Sequence, residues 1–300
     1  MRRLFAGAFC LLSAILLSDS DSACQTLATT ARQMDAGAWK AVFFYQGISN
    51  QSLNFSVADA GTCTGQGAFA PTFPCGQTGN VSASGDGAAG IFKLIFQPYE
   101  RLQYYVSAGA GNYTLTIPTS AGDERLSGDR QGFLYGGGFR AVLMPEIAVK
   151  IGRHHMDLDP QASKSGAEPL RLMRPALTLD AGGGLQRYYF NQMQPVTAAG
   201  DQNIDQRLDL WQLQVALEAS QRFEFSDSDL VLEPYGGVRW LSNRADLKDL
   251  PTGQHRGGIK QSVSPIVGLN IPVGKMEGIF AEASFVDGIQ YGAGLNIRFK

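Results

Sequence analysis

The chain has 300 residues with 25 Lys and Arg against 27 Asp and Glu, so its net charge of −2 lacks the basic excess that nucleic-acid binding needs. Charged residues make up only 17%, glycine occupies 36 positions and aromatics reach 10%, a balance that favours strands over helices. Beyond Leu17 no apolar run approaches the ~20 residues of a transmembrane helix, which excludes a helical membrane protein.

Residues 1–23 have the anatomy of a secretory signal peptide: Arg2 and Arg3, an apolar run from Leu4 to Leu17, then small polar residues ending at Ala23. Cleavage there makes Cys24 the first mature residue, the position that lipoproteins acylate, although Asp21 stands where such signals usually carry an aliphatic side chain. Residues 24–35 read as a short periplasmic lead-in. Residues 36–300 contain no linker or long repeat and read as one domain.

From Trp39 the first strand keeps one parity for a long way: Trp39, Ala41, Phe43, Tyr45, Leu53, Phe55 and Val57 are all odd-numbered. Side chains alternate faces with period two, so these are expected on one side of a single long strand. Cys63 and Cys75 follow in a Gly-, Thr- and Pro-rich loop, where an oxidising compartment favours a disulfide between them; pairing with Cys24 and free thiols are the alternatives. Neither cysteine has a His or second Cys at ligand spacing, so no metal is expected.

Residues 91–111 read as two strands joined around Pro98 to Arg101, and residues 132–155 as two more joined at Met144, Pro145 and Glu146. Residues 170–190 are expected to split at Asp180 to Gly183, with Pro175 weakening the first piece because proline removes a ladder donor. In residues 211–223, Trp211, Leu213, Val215, Leu217 and Ala219 oppose Gln212, Gln214, Glu218, Ser220 and Arg222. The same alternation runs through Leu232, Pro234, Val238 and Trp240, through Val263 to Ile271, and through Ile279 to Phe285. The last strand sets Ile289, Tyr291, Ala293, Leu295, Ile297 and Phe299 against Gln290, Gly292, Gly294, Asn296 and Arg298.

Short connections are expected at 98–101, 144–146, 180–183, 225–229 and 274–277. Longer polar ones fall at 59–88, 118–130, 158–169, 191–206 and 244–261, with a last brief one at 286–288. That alternation, with one apolar and one polar face on every strand, predicts an all-β fold: a single transmembrane antiparallel barrel of about twelve strands, with ten or fourteen as alternatives, short periplasmic turns and long external loops. A bilayer offers no hydrogen-bond partners, so strands cross it only when closure satisfies every backbone group. Trp39, Tyr45, Tyr99, Phe223, Phe225 and Trp240 lie near strand ends, where aromatic girdles sit. The expected lumen-lining residues are Lys93, Gln103, Arg140, Lys150, Glu218, Glu233, Arg239, Glu282, Asn296 and Arg298, which could line a narrow channel or pair across it and plug it.

The whole mature chain resembles bacterial outer-membrane β-barrel proteins, including the porin-like ones. The final strand is similar to the signal by which their assembly machinery recognises them, carried here by Tyr291, Ala293, Leu295, Ile297 and Phe299, with Lys300 as one residue more than the usual pattern. The resemblance implies residence in the bacterial outer membrane, membrane lipid and the barrel-assembly machinery as partners, no cofactor, and a role as a narrow diffusion channel or a structural or binding barrel. The external ligand or solute is left open.

One titratable cluster, His154, His155, Asp157 and Asp159, is expected at an external rim. It is similar to what outer-membrane proteases use to activate water, which makes a rim hydrolase the alternative function. A solvated rim is the simpler reading, and a secreted soluble β protein is the third class.

Overall fold

The computed structural model describes residues 34–58, 78–119, 122–148, 171–194, 200–224, 231–273, 277–285 and 288–299. Fourteen strands follow along the chain: β1 (Trp39–Ala58), β2 (Thr78–Tyr99), β3 (Leu102–Thr119), β4 (Gly122–Ser127), β5 (Gly132–Met144), β6 (Ile147–Ala148), β7 (Arg171–Arg174), β8 (Ala176–Gln194), β9 (Gln202–Ser220), β10 (Phe223–Glu224), β11 (Val231–Asp249), β12 (His255–Val273), β13 (Glu277–Ser284) and β14 (Ile289–Phe299). All pairings are antiparallel. From β1 the ladder runs through β2 to β3, through β4 and β5 side by side to β8, then through β9, β11, β12 and β13 to β14. Trp39 pairs with Phe299, and the ladder between β1 and β14 closes the ring as far as Ser49 and Ile289.

Several short strands prolong longer ones. β4, β5 and β6 follow one another along one wall position, β7 leads into β8 across Pro175, and β10 continues β9; at one end β6, β7, β10 and β11 pair in the same order as the long strands. The ring therefore has ten positions, one of the counts left open by the sequence.

Two expected turns prove to be straight strand. The β5–β8 register continues from Met144↔Leu177 to Ile147↔Arg174, so residues 144–146 do not reverse the chain. Asp180–Gly183 lies inside β8. There Gly136, Gly137 and Gly138 face Gly184, Gly183 and Gly182, and a Cβ on Gly138 or Gly182 would overlap the Tyr105 hydroxyl. These glycines seat an inward tyrosine; they mark a close approach instead of a turn. In consequence the connection 149–170 leaves and rejoins the wall at the end that holds Trp39 and Phe299, here the near end, and not at the end expected for 158–169.

The strands also run further than expected. β2 begins at Thr78, β4 lies within 118–130, and β8, β9, β11 and β12 extend well into the polar stretches flanking them. β1, β2 and β3 have 20, 22 and 18 residues, about twice the ~9–11 needed to cross a bilayer. The barrel is correspondingly two-layered along its axis, and the polarity of its wall inverts between the halves.

In the near half the outer face carries Phe43, Tyr45, Phe92, Val106, Val215, Leu217, Val238, Trp240, Val267 and Leu295, all exposed, while the inner face sets most of the buried polar side chains beside an apolar cluster around Val42, Phe44, Ile91 and Ile95. In the far half Ser52, Asn54, Ser82, Thr114, Thr116 and Arg244 point outward. The inner face there packs Leu53, Phe55, Val81, Leu115, Ile117, Leu126, Phe190, Leu208, Leu210 and Leu247 into one core. Leu53 and Phe55, expected outside with Phe43 and Tyr45, are 1% and 0% exposed. The cause is a bulge between Ile48 and Gln51, where Asn50 takes a left-handed φ of 55° and shifts the parity of β1.

β13 and β14 reach only to Ser284 and Ile289. Above their hairpin β12 meets β1 directly: a Cβ on Gly258 would overlap the Asn54 carbonyl, and Gly288, with φ +99°, lies against the Ser49 and Asn50 carbonyls. The far half thus has eight wall positions, a width that side chains just fill.

Candidate functional site: the barrel lumen

Inward side chains of the near half make a connected polar network. Arg140 on β5 bridges two carboxylates, with Nε 3.2 Å from Asp180 Oδ2 and Nη2 3.2 Å from Glu218 Oε2. The Tyr105 hydroxyl donates to the other Asp180 oxygen at 3.0 Å, and Lys93 Nζ stands 3.8 Å from the Tyr105 ring centroid. Asn270 donates to Glu233 at 2.7 Å and Asn296 to Asn270 at 3.0 Å. Tyr235 donates to Glu282 at 3.1 Å, while Arg239 donates to Ser284 at 2.7 Å and Gln290 at 3.0 Å.

Arg140 is thus set against Asp180 and Glu218, Glu233 accepts from Asn270, Glu282 accepts from Tyr235, and Arg239 donates to Ser284 and Gln290; these side chains and that of Lys93 are all buried. Removing Arg140 would leave two buried carboxylates without their cation.

Of the expected lumen residues, Lys93, Gln103, Arg140, Glu218, Glu233, Arg239, Glu282 and Asn296 point inward and are buried. Arg298 instead sits half-buried at the near end and pairs with Asp35 of the lead-in. Lys150 lies outside the described residues, as do His154, His155, Asp157, Asp159, Cys63, Cys75, Cys24, Phe225 and residues 1–33. Asp180 and Tyr105 were missed. Asp180 shares parity with Thr178 and Gln186, a signal that emerges once the strand is read without a break at the glycines.

Apolar clusters flank these polar groups on either side along the barrel. At the near end Met34 and Ala38 fold under the wall against Val42, Phe44, Ile91, Ile95 and Phe280. Gln97 fixes the lead-in: Met34 N donates to its Oε1 at 2.8 Å, and Gly37 N to its backbone oxygen at 2.7 Å. At the far side Tyr113 and Tyr188 stack at 4.8 Å beneath the apolar core, each hydroxyl donating to a glutamine, Gln51 and Gln186.

The outer wall of the near half is apolar throughout, and Tyr291, Ala293, Leu295, Ile297 and Phe299 form one outward row on β14. Trp39 stacks on Phe96 at 4.3 Å between centroids, and Trp39, Tyr45, Tyr99 and Trp240 are exposed near the limits of the band. A closed ring with an apolar outer band of membrane height and a polar interior defines a transmembrane β-barrel.

No family model matches the chain, and no curated protein matches it in sequence. Similar solved structures are the outer membrane protease OmpT from Escherichia coli (10% identity, 87% of this chain and 97% of that one, TM-score 0.43) and the translocator domain of the autotransporter NalP from Neisseria meningitidis (10%, 89% and 89%, 0.42). The outer membrane protein OprG from Pseudomonas aeruginosa is another (10%, 90% and 99%, 0.37). The architecture, a ring of antiparallel strands, is that of an outer-membrane β-barrel.

Proposed function

We propose that this chain is a closed, non-conducting and non-enzymatic barrel of the bacterial cell envelope. The near half anchors it in the outer membrane, and the far half stands outside the cell as a rigid platform for binding or structural contacts. One observation carries the reading: the inward charges of the near half are buried, Arg140 pairs with both Asp180 and Glu218, and an apolar core fills the ring beyond them. A water-filled path needs inward polar groups that remain hydrated, and here they face one another.

The test is conductance of the refolded mature chain in a planar bilayer, with barrel formation checked by a heat-modifiable gel shift. Folded protein without discrete steps is expected. Reproducible steps would overturn the closed-plug reading, and hydrolysis abolished by His154→Ala and His155→Ala would overturn the non-enzymatic one.

A further inference from the structure

The two sides of the far half differ in chemistry just above the apolar band. On β1, β2 and β3 the outward residues are Ser52, Asn54, Ser82, Ser84, Thr114 and Thr116, with Asp86 as the one charge among them, and it accepts from Ser49 and Asn50. On β8, β9 and β11 they are ionic. The rows, read across the ladders, are Leu185, Trp211 and Arg244; then Arg187, Asp209 and Asp246; then Tyr189, Arg207 and Lys248.

The pairing within these rows is incomplete. Asp209 serves two guanidiniums, accepting from Arg187 Nε at 2.7 Å and lying 2.9 Å from Arg207 Nη2. Asp246 faces His255 at 3.4 Å. Arg207 and Lys248 stand directly opposite each other, and like charges in that position repel. Four permanent cations therefore share two carboxylates, and Asp205 lies one row further from the membrane. Arg244 is exposed, and the Arg187 and Arg207 side chains remain 35% and 26% exposed, so donors beyond those used by Asp209 face outward.

We infer that this face is a docking site for the phosphate-bearing headgroup of an anionic membrane lipid, seated against Arg207, Lys248 and Arg244 with its acyl chains on the apolar wall below. Two arguments select a lipid. The cationic rows are continuous with the lipid-facing band: Leu213 and Val215 on β9 and Trp240 on β11 lie directly beneath them, so a molecule bound here already rests in the bilayer. Summed over the three rows, four cations stand against Asp209 and Asp246, a positive surplus that matches phosphate oxygens, whereas the same height on β1–β3 offers hydroxyls and no cation. Asp209 holds the two guanidiniums in fixed geometry, and arginine's planar fork suits phosphate. The barrel would then carry its anionic lipid on one side only. The site rests on the near half spanning a membrane and is independent of whether the lumen conducts.

The test uses the full mature chain refolded in vesicles of phosphatidylcholine alone or with phosphatidylglycerol, followed by native mass spectrometry of retained lipid. Preferential retention of phosphatidylglycerol is expected. Arg207→Gln with Lys248→Gln should lower its affinity by about thirtyfold, from about fivefold per cation. Arg244→Gln alone should lower it by about fivefold, which keeps the test decisive if the double variant misfolds. Arg125→Gln, on another part of the wall, should change nothing. Equal retention of both lipids by the unaltered chain, or an undiminished preference in Arg244→Gln and the double variant, would overturn the site. Loss of barrel formation in every vesicle would instead strike the membrane-barrel reading.

Discussion

Phe55→Ala separates the inverted far half from the simple alternating strand. Phe55 has no exposed surface and packs in the core with Leu53, Leu115, Ile117 and Phe190. A phenylalanine removes on the order of 150–200 Å² from water, worth about 4–5 kcal/mol at ~25 cal/mol/Å². The retained Cβ reduces that figure and the unrelaxed cavity adds to it, so the expected loss is about 3–5 kcal/mol. Were Phe55 on the outer wall with Phe43, it would stand in water above the membrane, and its truncation would cost less than about 0.5 kcal/mol. Asn54→Ala, on the neighbouring outward position, supplies that baseline. Urea unfolding of the refolded barrel in vesicles gives the two free energies. Labelling with a membrane-impermeant maleimide gives the faces directly, Ser56→Cys reacting quickly and Phe55→Cys remaining protected in the folded state. Equal costs for Phe55→Ala and Asn54→Ala, or fast labelling at 55, would refute the parity shift at Asn50.

Arg140→Ala should destabilise the barrel by about 3–5 kcal/mol in urea unfolding, because Asp180 and Glu218 are left buried without their cation. Gly182→Ala should cost about 1–3 kcal/mol by pressing on the Tyr105 hydroxyl, and much less in a Tyr105→Phe background; strict additivity of the pair would contradict the contact. Gly258→Ala should destabilise more than Gly257→Ala, since a Cβ at 258 meets the Asn54 carbonyl while one at 257 approaches the Ala245 oxygen only to 3.2 Å. Thiol counting of the unfolded chain before and after reduction should show two additional thiols, with peptide mapping assigning them to Cys63 and Cys75.

The near half was legible because lipid imposes a single rule on every strand. Val238, Val267, Leu295 and their neighbours face outward as alternation requires, and Glu233, Arg239 and Glu282 face inward. The far half was not legible, for a physical reason. Water outside and a packed interior give the same period-two pattern with the faces exchanged, and Ser, Thr and Asn on an outer wall have the composition of a loop. Residues 78–88, 122–127 and 243–249 therefore read as connections while forming wall. β1 concealed the exchange further, since the bulge at Asn50 keeps Phe43 and Phe55 on odd positions while placing them on opposite faces. The glycines at 182 and 183 misled in another way. Their absent side chains make room for Tyr105 from across the lumen, and a long-range contact leaves no local trace that distinguishes it from a turn.

The change of ring size at Gly288 connects these features. With ten wall positions the near half is wide enough to hold long polar side chains beside the apolar cluster around Val42, Phe44, Ile91 and Phe280, and their polar ends are stabilised by pairing. Lipid outside permits a largely polar interior there, because burial of the outward rows already supplies the hydrophobic gain. Above the membrane that gain must come from inside, and a ring of eight positions lets Leu53, Phe55, Leu115, Ile117 and Phe190 meet. The short β13–β14 hairpin removes two positions at the height where the surroundings change. Gly258 and Gly288 permit the backbone approach of β12 and β14 to β1, and the bulge at Asn50 realigns β1. The parity shift, the short hairpin and the two tight glycines are thus parts of one solution to crossing from lipid into water without ending the wall.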